Sequence, residues 1–225
     1  MADYDERKRT LTIKLVYYGP ALSGKTTNLM RLHDLIQPQL IGDLMVMETQ
    51  GDRTLFFDLM PLGFVAPSGL KIKFKLFTVP GQVQHDSTRK AVLSRADGVV
   101  FVADSQNSQS VNNAESFQNL SENCGRVGLD FKHLPLVVQY NKCDLADIVS
   151  AEEVTERWAA APWPVLFSVA LSGQGVRETF HELLKQVYHC LEGPYRLAGD
   201  HGLAEADFVS GALGVRKEGE EAHGG

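Results

Sequence analysis

The stretch Gly19-Pro20-Ala21-Leu22-Ser23-Gly24-Lys25-Thr26 decides the fold. It follows a β-branched and aromatic run, Leu11 to Tyr18, and precedes Leu29, Leu32 and Ile36 at helical spacing before Pro38. Strand, glycine loop and helix therefore succeed one another. The octet fits G-x-x-x-x-G-K-[ST] in the context that motif needs. Its glycines let backbone N–H groups turn inward around phosphates, and the helix N-terminus adds partial positive charge. Lys25 is expected to bridge the β- and γ-phosphates and the Thr26 hydroxyl to ligate Mg²⁺. The expected cradle is Gly19, Ala21, Leu22, Ser23, Gly24, Lys25, Thr26 and Thr27. A glycine-rich turn with an exposed lysine is the plain alternative.

Outward from this loop the pattern repeats. Leu70, Ile72, Phe74 and Leu76 alternate with Lys71, Lys73 and Lys75, the period of a strand with one wet face, expected toward a sheet edge. Val99–Ala103, Leu134–Tyr140 and Val165–Ala170 are apolar on both parities, as central strands covered on both faces would be. Phe117, Leu120, Cys124 and Val127 mark one helix, and Val176, Phe180, Leu183, Val187 and Leu191 another. This alternation predicts an α/β fold with an open, mostly parallel sheet whose ligands bind beyond the carboxyl ends of the strands. From Gly193 the composition turns glycine-rich and acidic, so residues 193–225 read as a flexible tail on a domain spanning 1–192.

Composition narrows the function. The chain has 225 residues, 44% hydrophobic and 22% charged, which fits one good-sized globular domain. A net charge of -6 argues against holding nucleic acid by phosphate neutralisation. No apolar run approaches the roughly 18 residues of a membrane span, and the charged start Met1–Arg9 lacks the apolar region of a signal peptide, so a cytoplasmic location is expected. The three cysteines are scattered and read as reduced thiols. The seven histidines show no metal-ligand spacing; His85 alone falls where a regulatory role competes with plain exposure. Trp158 and Trp163 read as packing residues.

Asn141-Lys142-Cys143-Asp144 has the form N-K-x-D and directly follows a buried strand. A carboxylate there can accept both N1–H and N2–H₂ of guanine, a donor pair that adenine lacks. Asn141 is expected to brace the loops and Lys142 to lie along the base. Ser168-Val169-Ala170-Leu171-Ser172-Gly173, after the last strand, is the expected third wall, with Val169, Ala170 and Leu171 against the nucleotide and the Ala170 N–H facing the base oxygen.

With both motifs in place, the chain resembles the Ras-like small GTPases, and within them the MglA-type bacterial polarity and gliding-motility GTPases, over roughly Thr10 to Leu191. The resemblance is carried by Val16-Tyr17-Tyr18-Gly19-Pro20, Gly24-Lys25-Thr26-Thr27-Asn28-Leu29, Arg53-Thr54-Leu55-Phe56-Phe57-Asp58, Thr78-Val79-Pro80-Gly81-Gln82-Val83, Asp97–Gln106 and Gln139-Tyr140-Asn141-Lys142. It implies a P-loop NTPase fold with a six-stranded, mostly parallel sheet and a GDP/GTP switch using Mg²⁺. It also implies Thr54 as the switch threonine on Mg²⁺ beside Thr26, Arg53 as an arginine finger in the same chain, Gly81 among the nucleotide-binding residues and Gln82 orienting water. The physical roles agree, because phosphoryl transfer needs neutralised equatorial oxygens and an aligned nucleophile. The implied partner is a roadblock-type, MglB-like dimer, received by the Lys71, Lys73 and Lys75 strand and the neighbouring switches, with effectors of polarity or motility beyond it.

Two positions depart from the family pattern. Thr78 stands where an aspartate usually supports the Mg²⁺ shell, leaving either one carboxylate fewer or a substitute such as Asp58. Ala21 stands where glycine is usual, and its methyl group is expected to intrude near Gln82 and the γ-phosphate. GTP binding with slow hydrolysis is therefore expected, with a GTP-held adaptor as the alternative.

Overall fold

The computed structural model describes residues 2–36, 40, 45–48, 56–80 and 86–214, with 45–48 and 56–59 as backbone. The phosphate-loop strand anticipated from Leu11 to Tyr18 is β2 (Thr10–Tyr18), and α1 (Lys25–Leu35) follows the loop. β3 (Met45–Glu48), β4 (Phe56–Val65) and β5 (Lys71–Thr78) lie on one side of β2; β6 (Gly98–Asp104), β7 (Leu136–Asn141) and β8 (Val165–Ser168) lie on the other. The order is β3-β4-β5-β2-β6-β7-β8, with β1 (Asp3–Asp5) antiparallel to the start of β2. β5-β2-β6-β7-β8 are parallel and β3-β4-β5 antiparallel. Among the described residues the sheet has eight strands rather than the six expected, because β1 and β3 extend it.

Chain order reverses at β2, whose neighbours β5 and β6 lead to opposite halves of the sheet, so the loop after β2 opens at a topological switch point. Helices cover both faces. One core layer packs Leu29 and Leu32 of α1 with Phe180, Leu183 and Val187 of α5 (Val176–Tyr195). The other packs Val92 and Leu93 of α2 (Asp86–Leu93), Leu120 and Cys124 of α3 (Ser110–Arg126) and Val154 of α4 (Ala151–Trp158). Trp158 and Trp163 close that layer edge-on against Phe117, as packing residues do.

Three expectations need correction. β5 is no edge strand: it pairs with β4 and β2 along its length, and Lys71, Lys73 and Lys75 are exposed because that face of β5 is left to solvent. β8, read as central, is the terminal strand, and Phe167 on it is exposed. The expected tail is structured as far as residue 214. α5 continues through Gly193 and Pro194 to Tyr195, followed by α6 (Leu197–His201) and α7 (Glu205–Leu213). Phe208 is fully buried, with its ring 5.5 Å from Phe74 and 6.1 Å from Phe64. A Cβ on Gly211 would come within 2.8 Å of the Phe64 ring, so this glycine serves close packing, not flexibility.

Candidate functional site: a phosphate and base cradle

Gly19 and Gly24 bound the loop and neither tolerates a side chain. Gly24 has φ 99°, and an added Cβ would lie 2.2 Å from Asn141 Nδ2; one on Gly19 would lie 2.2 Å from the Val102 carbonyl oxygen. At Gly19 the backbone approaches another backbone, and at Gly24 it approaches the Asn141 amide with φ in the left-handed region, two demands that only glycine meets. α1 opens at Gly24 with no capping side chain and no acid in its first turn, leaving its positive end directed at the loop. Lys25 is buried at that end, its Nζ donating to the carbonyls of Pro20 at 2.6 Å and Gly19 at 3.2 Å. Ser23 Oγ is buried with no hydrogen-bond partner among the described residues. A buried cation, an uncapped helix end and an orphaned hydroxyl are together the donor set that a polyphosphate satisfies. Thr26 is exposed at the first turn, Thr27 half-buried, and Ala21 and Leu22 lie exposed on the rim.

Asn141, at the end of β7, joins three loops. Its Nδ2 donates to Ser23 O at 2.9 Å, while its Oδ1 accepts from Ala170 N at 2.9 Å and Ser168 Oγ at 3.0 Å. The phosphate loop, the N-K-x-D turn and the loop after β8 are thereby fixed to one amide. The Ala170 N–H, expected to face a base oxygen, is bonded to Asn141 Oδ1 in this arrangement. Lys142 has φ 69°, and its ammonium pairs with the buried Asp104 carboxylate at 2.6 Å. Asp104 also accepts from the Gln106 N–H, capping the turn after β6. Asp144 is exposed and makes no hydrogen bond or ion pair to a described residue, so both its oxygens remain open to donors. Val169 bonds Gln174 through its N–H, and Leu171 is 70% exposed, its carbonyl held by Arg31 Nε at 2.9 Å.

Arg53, Thr54, Gly81, Gln82 and His85 lie outside the described residues. Thr78 ends β5 opposite Tyr17 and is buried. Asp58 lies in β4 opposite Val46. Among the described residues, no group of three or more His, Cys, Asp or Glu is arranged to hold a metal.

One residue beside the cradle has no counterpart in the sequence reading. Arg89 on α2 is fully buried, 4.6 Å over the Tyr18 ring, and donates to Gly19 O, Ser116 Oγ and Asn119 Oδ1. Burial pulls its guanidinium downward from its ordinary range, against the opposing pull of Tyr18 and Asp86. At Asp86 burial pushes the carboxyl up, but bonds from Asn123, Lys90 and Asn119 outweigh it and hold the group below the ordinary range. The available signal was positional: Arg89 shares a helix face with Val92 and Leu93, a place where a charged residue is rarely expected.

A glycine loop closing on a buried lysine at the end of β2, tied by one asparagine to two further strand-end loops, defines the class: a P-loop α/β domain of small-GTPase type. The chain belongs to the ADP-ribosylation factor family, whose model matches residues 4–187. It is 44% identical over 179 residues to the mutual gliding-motility protein MglA of Myxococcus xanthus (strain DK1622), a match covering 80% of this chain and 92% of that protein. α6 and α7 lie beyond the family match. No helix among the described residues is long and apolar enough to cross a membrane.

Proposed function

We propose that the chain is a guanine-nucleotide switch that binds GTP with Mg²⁺ and hydrolyses it slowly to GDP and phosphate. The observation that carries this reading is the Asn141 junction, which holds the phosphate loop and the base-selecting turn together while Asp144 stays open. Asp144 would accept N1–H and N2–H₂ of guanine. Lys25 would exchange the Gly19 and Pro20 carbonyls for the β- and γ-phosphates, a move within reach of its present site. Thr26 and Thr54 would hold Mg²⁺, whose charge neutralises the phosphate oxygens when bound. Gln82 would orient the water whose oxygen bonds the γ-phosphorus as the bond to the β–γ bridging oxygen breaks, and Arg53 would offset the charge on the transferred group.

Under the same proposal the process served is cell polarity or motility in the cytoplasm, at a pole or membrane surface reached through partners. The relative's printed name, a gliding-motility protein, supports the motility part of this reading. The partner would be a roadblock-type, MglB-like dimer that stimulates hydrolysis. The lysine face of β5 offers it a surface, since Lys71, Lys73 and Lys75 stand opposite the uncharged Val65, Gly63 and Pro61.

Ala21 favours a second reading, a GTP-held adaptor without meaningful turnover, since a methyl group at the loop rim can misplace the groups that meet the γ-phosphate. Chromatography of nucleotide released from purified protein separates the readings: GDP supports the switch and GTP the adaptor, whereas adenine nucleotide refutes both. In single-turnover assays Ala21→Gly should hydrolyse GTP about 10- to 100-fold faster than the native chain. Equal rates would remove Ala21 as the brake.

A further inference from the structure

We propose that Arg89 is a positioning residue of GTP turnover, the joint through which α2 holds the first carbonyl of the phosphate loop. The proposal rests on the GTPase reading and adds a residue to it. The guanidinium is fully enclosed, yet among the described residues no carboxylate bonds it. Asp86, the acid on the same helix, is instead bonded by Asn119 and Asn123 and paired with Lys90 and Arg126. An aliphatic side chain of similar volume would fill this place without desolvating a charge, so packing alone is a poor reason for arginine here. The planar fork, however, reaches three elements at once. Nη1 donates to Asn119 on α3 at 2.7 Å, and Nη2 donates to Ser116 on α3 at 3.2 Å and to Gly19 O at 3.3 Å. The guanidinium carbon lies 4.6 Å from the centre of the Tyr18 ring, the residue immediately before the loop.

Gly19 O is shared. It also accepts from Lys25 Nζ at 3.2 Å. When Lys25 turns to the phosphates that carbonyl gives up one donor, and Arg89 remains to hold the peptide's orientation at the start of the cradle. The same guanidinium restrains α2, whose first residue, Asp86, follows Gln82 by four positions along the chain. Loop and α2 are thus registered on one side chain, and small misplacements of groups around a transferred phosphoryl are costly in rate.

The test uses the full chain with Arg89→Lys, Asn119→Ala and the double variant, measuring GDP affinity by fluorescent-nucleotide titration and GTP hydrolysis under single turnover. Lysine keeps the charge but cannot span Gly19 and Asn119 together. Arg89→Lys should slow hydrolysis by about 10-fold or more with GDP affinity within about 3-fold of the native chain. Asn119→Ala should act in the same direction with a smaller effect, and the double variant should be no slower than Arg89→Lys, because both act through one joint. Hydrolysis and GDP affinity falling together would reduce Arg89 to a packing role and overturn the proposal, as would unchanged hydrolysis or additive losses. If Arg89→Lys does not fold, Asn119→Ala decides alone by the same split between rate and affinity. A native chain that binds no guanine nucleotide, or holds GTP without turnover, overturns the parent reading as well. Native turnover with unaffected variants overturns only this one.

Discussion

Asp144 illustrates how much one side chain can decide. As a carboxylate it only accepts hydrogen bonds, which matches the adjacent N1–H and N2–H₂ of guanine. An asparagine in its place would present one acceptor and one donor, which fits a ring carrying N1–H beside C2=O. Asp144→Asn should therefore lose about 100-fold or more in GDP affinity and gain affinity for xanthosine diphosphate, both readable by competition titration. Retained GDP affinity would mean that this acid does not read the base. Gly24, Lys25 and Asn141 were legible in the sequence, because a motif with fixed spacing reports backbone geometry directly. The bond from Ala170 N to Asn141 Oδ1 was not, since it depends on how three loops converge in the folded chain. Arg89 was not legible either, since a charged residue is ordinarily assigned to solvent and only the packed neighbours Tyr18, Ser116 and Asn119 show otherwise.

At the scale of elements, periodicity reported faces well and neighbours poorly. The alternation of Ile72, Phe74 and Leu76 with lysines correctly separated the buried face of β5 from its wet one, but said nothing of which strands flank it. Apolar runs marked β6 and β7 as fully buried, yet Val165–Ser168, with the same composition, became the terminal strand because no further strand follows it in the sheet order. The glycine-rich composition after Gly193 read as a tail, whereas two of its glycines have roles that emerge only in contact: Gly211 admits the Phe64 ring, and Gly214 ends α7 at φ 69°. Phe208 is the anchor of that contact, ringed by Phe64, Phe74 and Tyr188. Phe208→Ala should cost about 3–5 kcal/mol in unfolding free energy, measured by urea denaturation. A loss below about 1 kcal/mol would show that α7 is only loosely applied to β4 and β5.

For the whole molecule, the question is where the domain ends. Both the compositional break and the family match place the boundary before residue 193, but the packing places it later. The aromatic contacts of Phe208, the bond from Tyr188 OH to Leu203 O at 3.0 Å and the full burial of Leu197 bind residues 196–213 into the layer shared with β4, β5 and α5. Ending the chain after Tyr195 would uncover Phe64 and Phe74 on the sheet. Among the described residues, none of the hydrogen bonds that shape the cradle comes from α6 or α7. The truncated chain should therefore unfold at least about 10 °C lower than the full chain while keeping its preference for GDP over ADP. Because GDP would bind only the folded form, GDP at about 100 times its dissociation constant should restore about 2.7 kcal/mol to either chain. Equal stabilisation by GDP against a lowered baseline, read by thermal denaturation with and without nucleotide, would mark α6 and α7 as part of the scaffold and not of the site. A truncated chain as stable as the full one would return the boundary to residue 192, whereas selective loss of GDP stabilisation would mean that the C-terminal helices act on the cradle itself.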